Sequence, residues 1–316
     1  LTLYSIIHRM KETVMDKRLP RTELLFSLGF LFMLAVAVAT FLLGMKIGTE
    51  RTEARYAPKL SETLPPGAAS YQQQDLLSYY YTVYQPFRSF TGEWIRETAS
   101  MKAGQTPDPA KRLKSLAAFA NDRYKEAERA DIPSSSPLLA DAQTNVLKSL
   151  KLFSETFSRH ANGAAADAQT VIRRIGEDAV YRQALDYALL AEKQYYDAMV
   201  KWGASLDPDL PDQAPNGSGM TLDTWNSQPL LIKNAIAAGL LKERRVLPDY
   251  YPQDLAARVD HFFDSGQAAG FGISSVDRAV DILLRTEAVR SGDFLEKRTV
   301  YGGGELLPQI PMFSGN

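Results

Sequence analysis

The run "DHFFD" sets His261 beside Asp260 and three positions before Asp264. In this chain of 316 residues, these are the side chains whose types and spacing come nearest to chemistry. On a helix, His261 and Asp264 share a face, and Asp260 lies one turn from Asp264. An imidazole and carboxylates in that arrangement are candidate metal ligands. One helix supplies only part of a coordination shell, so a metal here needs donors from elsewhere. A solvated face opposite Phe262 and Phe263 accounts for the same letters, and the reading is of no metal and no cofactor. Only two other histidines occur, His8 and His160. His160 falls in the last turn of a helix, where an imidazolium suits the negative end of the helix dipole.

Other reactive constellations are missing from the sequence. The chain has no cysteine, which removes thiolate nucleophiles, Cys-based zinc sites and disulfides together. No G-x-S-x-G elbow marks a serine nucleophile. No G-x-x-x-x-G-K-[ST] loop cradles a phosphate, and Gly302-Gly303-Gly304 follows no strand. No Glu-x-x-His pair offers a di-iron site. The formal net charge of −1 gives no basic surplus to neutralise phosphates, so nucleic acid is not an expected partner. The reading is therefore of a protein that is not an enzyme, with no catalytic residue assigned.

The elements that would position such residues begin with "LLFSLGFLFMLAVAVATFLLGM", residues 24–45. This stretch carries no charge, and at 1.5 Å per residue it spans about 33 Å, close to the hydrocarbon thickness of a bilayer. Ala35-Val36-Ala37 and Ala37-Val38-Ala39 look like export cleavage sites, but the apolar run continues through Phe41, Leu42 and Leu43, beyond the length of a cleavable core. The expectation is a single-pass transmembrane anchor whose lipid-facing residues include Leu24, Leu25, Phe26, Phe30, Leu34, Val38, Phe41, Leu42 and Leu43. Basic residues flank it on both sides, so the charge bias is slight. The preceding segment, 1–23, is short, and no later stretch is apolar enough to return the chain. This places the N-terminus in the cytoplasm and the rest outside it, in a bacterial cell envelope. Ala35 and Ala39, and Gly44 and Gly48, are small-residue pairs of the sort that let two spans pack, which raises a homodimer as one possibility.

Residues 46–70, with Pro58 and Pro65-Pro66-Gly67, read as a stalk. From Tyr71 the pattern is helical and the fold class is all-α: an antiparallel four-helix-type bundle over 71–205. In its first helix Leu76, Tyr80, Val83, Phe87, Phe90 and Trp94 form one stripe at steps of 4 and 3. Tyr79 and Tyr84 flank the stripe, and only Tyr81 points clearly away, which makes Tyr81 the candidate surface-binding residue. Pro86 should kink or split this helix. Asp108-Pro109 and Ser136-Pro137 start the next two helices, and Gly163 ends the third. A fourth runs from about 164 to 202, with its phase slipping near Gly176.

The Pro/Asp/Gly-rich segment 206–222 reads as a linker. Residues 223–300 read as a small module of three shorter helices, and 301–316 as a flexible tail. The order of anchor, stalk, bundle and module implies a non-enzymatic envelope scaffold or docking protein, partnered by the bilayer and by an envelope protein. The alternatives are a ligand-sensing bundle that signals through a separate partner and an envelope enzyme built around Asp260, His261 and Asp264.

Overall fold

The computed structural model describes Met33 and residues 71–163, 167–301 and 305–314. The chain divides into two units, Leu1–Ala68 and Ala69–Asn316, and the second holds every described residue except Met33. Among the described residues the regular elements are all helical, and the only strand-like pairing is one antiparallel bridge between Thr221 and Ser275. None of these helices is long and apolar enough to cross a membrane. The span expected at 24–45 lies, Met33 apart, outside the described residues.

Helix α1 (Gln73–Tyr79) passes through a π-helical turn (Tyr80–Tyr84) into α2 (Gln85–Lys102). The Gln85 N–H reaches back five residues to the Tyr80 carbonyl. Pro86 follows directly, and in a regular helix its ring would collide with the carbonyl four residues earlier. The kink expected at this proline thus takes the form of a widened turn. The extra residue in that turn shifts the phase of α1 against α2, so Tyr79 and Tyr84 are fully buried rather than flanking the stripe. Tyr81 stays outside, 51% exposed.

Local signals start the next helices. Asp108 accepts from the Lys111 N–H at 2.9 Å to cap α3 (Pro109–Glu128). Before α4 (Pro137–Asn162), Ser136 gives its hydroxyl instead to Asp75, at 2.8 Å, tying α4 to the start of α1. The slip near Gly176 is a true break: α5 (Ala168–Glu177) ends and α6 (Ala179–Leu206) begins at Asp178. Asp178 accepts from the Val180 N–H, and from His160 at 2.9 Å and Arg159 at 2.8 Å at the end of α4. His160 is therefore a helix-end tie. Helix α4 packs along both α3 and α6, and α2 lies against α3 and α5. Leu150, Phe153 and Phe157 of α4 meet Phe90 and Trp94 of α2 in the core of this bundle.

Beyond the loop at 207–221 come α7 (Leu222–Asn226), α8 (Leu230–Glu243), α9 (Pro252–Asp264), α10 (Gln267–Gly270), α11 (Val276–Arg285), α12 (Asp293–Tyr301) and α13 (Pro311–Ser314). Helix α8 is buried on every side from Leu230 to Ala238, as befits a helix with no polar face. It packs between α6 and α9. Gly203 on α6 allows the close approach, because a Cβ there would collide with Leu231. The helices on either side of the 206–222 segment accordingly share one hydrophobic core.

Candidate functional site

A groove of 1410 Å³ carries Tyr81 on its wall. Helix α1 contributes Leu77 and the turn after it Tyr81, α12 contributes Phe294, Leu295 and Arg298, and the strip 305–314 completes the lining. Tyr81 is steadied by an edge-to-face contact with Tyr80, ring centres 5.1 Å apart. Leu295 is 39% exposed beside it. Tyr81 and Leu295 thus present apolar area to solvent at the edge of this groove.

The strip is packed in place, which differs from a flexible tail. Ile310, Met312 and Phe313 are buried. Glu305 accepts from the Leu230 N–H at 3.2 Å, satisfying a donor at the start of α8 where Pro229 offers no side-chain cap. Gln253 donates to the Met312 carbonyl at 3.1 Å, and Arg298 to the Ser314 carbonyl at 3.0 Å. Three apolar anchors and three polar ties outweigh the absence of helical periodicity that marks this stretch in the sequence.

Beneath the groove lie buried polar clusters. On α6, Glu192 is 2% exposed, and its Oε1 accepts the Tyr84 hydroxyl at 2.8 Å with the Arg88 guanidinium 3.6 Å away. Arg88 also donates to the carbonyls of Pro248 at 3.1 Å and Tyr250 at 3.0 Å, and lies 4.9 Å over the Tyr251 ring. Burial pushes the Glu192 carboxyl above its usual range, against Arg88 and Tyr84, which lower it. Tyr196 completes the cluster by donating to Gln253, the residue that holds the tail. This network joins α2, α6, α9 and the strip.

A second cluster centres on Asp260. Its Oδ1 accepts from Trp225 Nε1 at 2.6 Å and Lys233 Nζ at 3.0 Å, and its Oδ2 from the Tyr301 hydroxyl at 2.9 Å. Burial, and next the Asp260 charge, raises the Tyr301 hydroxyl. Nearby, Asp254 accepts three backbone N–H groups, from Tyr251, Gly292 and Phe294. It fastens the start of α12 to α9.

The metal candidates therefore part company. Asp260 is spent on the tryptophan, lysine and tyrosine, while His261 lines a small cavity with Phe262, Phe271, Arg258 and Gln267. Among the described residues no three His, Cys, Asp or Glu side chains gather closely enough to hold a metal ion. The reason is angular: adjacent residues on a helix point about 100° apart. Tyr81 is where the sequence puts it, on the surface. Glu192, Arg88, Lys233 and Trp225 carry no motif, yet two had a legible signal. Glu192 falls on the stripe Ala188, Tyr195, Met199 at steps of 4, 3 and 4, and Lys233 is the lone charge within "LLIKNAIAAGLL". Sequence cannot supply their partners, which lie 27 to 108 residues away.

Comparison with known proteins returns no matching family, no matching curated protein and no matching solved structure.

Proposed function

We propose that this chain is a non-enzymatic helical docking protein, tethered to a bilayer by residues 24–45 and working as a scaffold outside the cytoplasm. The observation that carries the docking role is the Tyr81 groove, an open surface of apolar and polar side chains walled by a fastened strip. Supporting it, the buried ionisable groups beside the groove are engaged in cross-links between helices rather than presented to a substrate. Its occupant is an amphipathic segment of a partner protein, since the groove offers hydrophobic side chains such as Tyr81 and Leu295 beside polar ones such as Arg298 and Gln309. The finer architecture, an anchor followed by a stalk and an antiparallel bundle, belongs to the same proposal.

The test has two arms. A C-terminal epitope on the full chain, probed by protease on spheroplasts, is expected to be membrane-bound and digested; a protected epitope overturns the location. A photo-crosslinking amino acid at position 81 is expected to give one discrete adduct with a membrane-associated protein, absent when the same group replaces Arg129 on the exposed end of α3. Identical adducts from both positions refute docking at the groove. A second reading, ligand sensing through a separate partner, has one specific observation in its favour, a smaller cleft on another part of the surface.

A further inference from the structure

That cleft, of 710 Å³, lies where α2 and α6 meet the loops that follow α8 and α11. Its volume falls within the ~300–1,000 Å³ of small-molecule sites. The lining is mostly apolar, with Trp94, Ile95, Tyr181, Leu185, Leu247 and Leu284 among its walls. Ile95, Leu185, Leu247 and Leu284 are only partly buried, so their side chains keep free surface.

Two features set this cleft apart. Among the described residues, the only non-glycine positions with positive φ are Arg245, at 52°, and Glu287, at 51°. Both line it. Each follows the residue that caps a helix C-terminus, Arg244 after α8 and Thr286 after α11, where glycine is the usual occupant because it adopts this backbone without cost. Long charged side chains are held there at a steric cost, at the rim of one and the same cavity. The second feature is Thr98, also on the lining, whose enclosed Oγ1 has no hydrogen-bond partner. A helical threonine ordinarily bonds the carbonyl one turn back.

The rim charges define the ligand. Lys102 and Arg245 bring positive charge; Asp249 and Glu287 bring negative charge. Arg245 is already paired with Asp186 at 2.9 Å, whereas Lys102 and Glu287 are in no salt bridge within the described residues. A purely anionic head would meet two carboxylates, and a purely cationic one would meet the lysine and arginine. An apolar body with a head carrying both signs satisfies the whole rim. We infer that the cleft binds a single-chain zwitterionic amphiphile, its chain against the Trp94–Leu284 walls, its anionic oxygens at Lys102 and its ammonium at Glu287. This does not depend on docking at the Tyr81 groove.

The experiment uses the full chain in an amphipathic polymer and a lysophosphatidylethanolamine whose acyl chain bears a diazirine. After irradiation and digestion, adducts are expected on peptides containing Ile95, Leu185 or Leu284. They should be competed by unlabelled lysophosphatidylethanolamine but not by dodecyl sulfate or dodecyltrimethylammonium. Glu287→Gly and Lys102→Ala should each lower labelling several-fold. Because Glu287→Gly relieves the strained backbone, its Tm should be unchanged or higher, so lost labelling cannot be put down to misfolding. Adducts confined to residues 24–45, or equal competition by all three head groups, would overturn the proposal.

Discussion

Replacing Arg88 by Met should unfasten the bundle from the C-terminal helices. The substitution keeps the aliphatic stem but removes the guanidinium that lies 3.6 Å from Glu192 and bonds the carbonyls of Pro248 and Tyr250. Losing one partner of a buried ion pair costs about 3–5 kcal/mol, because the other charge is left in a poor solvent. The 3.6 Å separation argues for the lower end. Each orphaned carbonyl adds ~0.5–1.5 kcal/mol, giving a total of about 4–6 kcal/mol. For a unit of this size that is a fall in Tm of roughly 8–24 °C. The sign with pH follows from Glu192. Its folded value is raised above 4.5 by burial, so its stabilising contribution is complete below that value and is lost as pH rises through the folded one. Without Arg88 the folded value climbs further, and the variant should suffer more at neutral than at mildly acidic pH. The double variant Arg88→Met/Glu192→Gln keeps an acceptor for the Tyr84 hydroxyl and removes the stranded charge. It should recover about 2–3 kcal/mol of the loss, leaving mainly the two carbonyl terms. Urea midpoints followed by far-UV circular dichroism measure both. A single variant within ~1 kcal/mol of the parent, or a double variant no more stable than the single, refutes the account of this cluster.

Three further outcomes follow from the same reasoning. Asp260→Ala strands the Trp225 N–H, the Lys233 ammonium and the Tyr301 hydroxyl together and should cost about 3–5 kcal/mol in urea; a loss below ~1 kcal/mol would show the network to be idle. Glu287→Gly exchanges an ~1–2 kcal/mol left-handed penalty for the ~0.5–1 kcal/mol entropy of glycine, so thermal unfolding should show a gain of up to about 1.5 kcal/mol; a clear loss would mean the side chain makes contacts that outweigh the strain. His261 is held below 6.5 by burial first and then by Lys297 and Arg258. The unfolded chain therefore takes the proton first, and stability should decline as pH falls from 6.5 towards the folded value. His261→Gln should flatten the part of the urea-midpoint profile that lies just below neutrality, and an unaltered slope would assign it to other groups.

Much of the architecture was written locally. The Asp108 cap, Pro109 and Pro137, Gly163 and the 4-and-3 stripes of the bundle helices depend on neighbours within a few residues, so sequence alone placed those helices and put Tyr81 outside; Ser136 instead gives its hydroxyl to the distant Asp75. The break near Gly176 was visible too, as a phase slip, although the sequence did not reveal that Asp178 serves both helices and receives His160. Tertiary structure decided the rest. The π-helical turn before Pro86 rotated Tyr79 and Tyr84 inward, a rotation that a regular 3.6-residue period does not contain. The all-apolar face of α8 drew the C-terminal helices onto α6, because a helix without a polar side must be covered all round. The tail, unpatterned in sequence, is fixed by Gln253, Arg298 and three buried side chains. Asp260 and His261, adjacent letters that suggested one site, diverge into a polar cross-link and a separate small cavity. Spacing along one helix sets the direction of a side chain. Its partner is set by whichever distant element packs against that face, and that is a property of the folded chain alone.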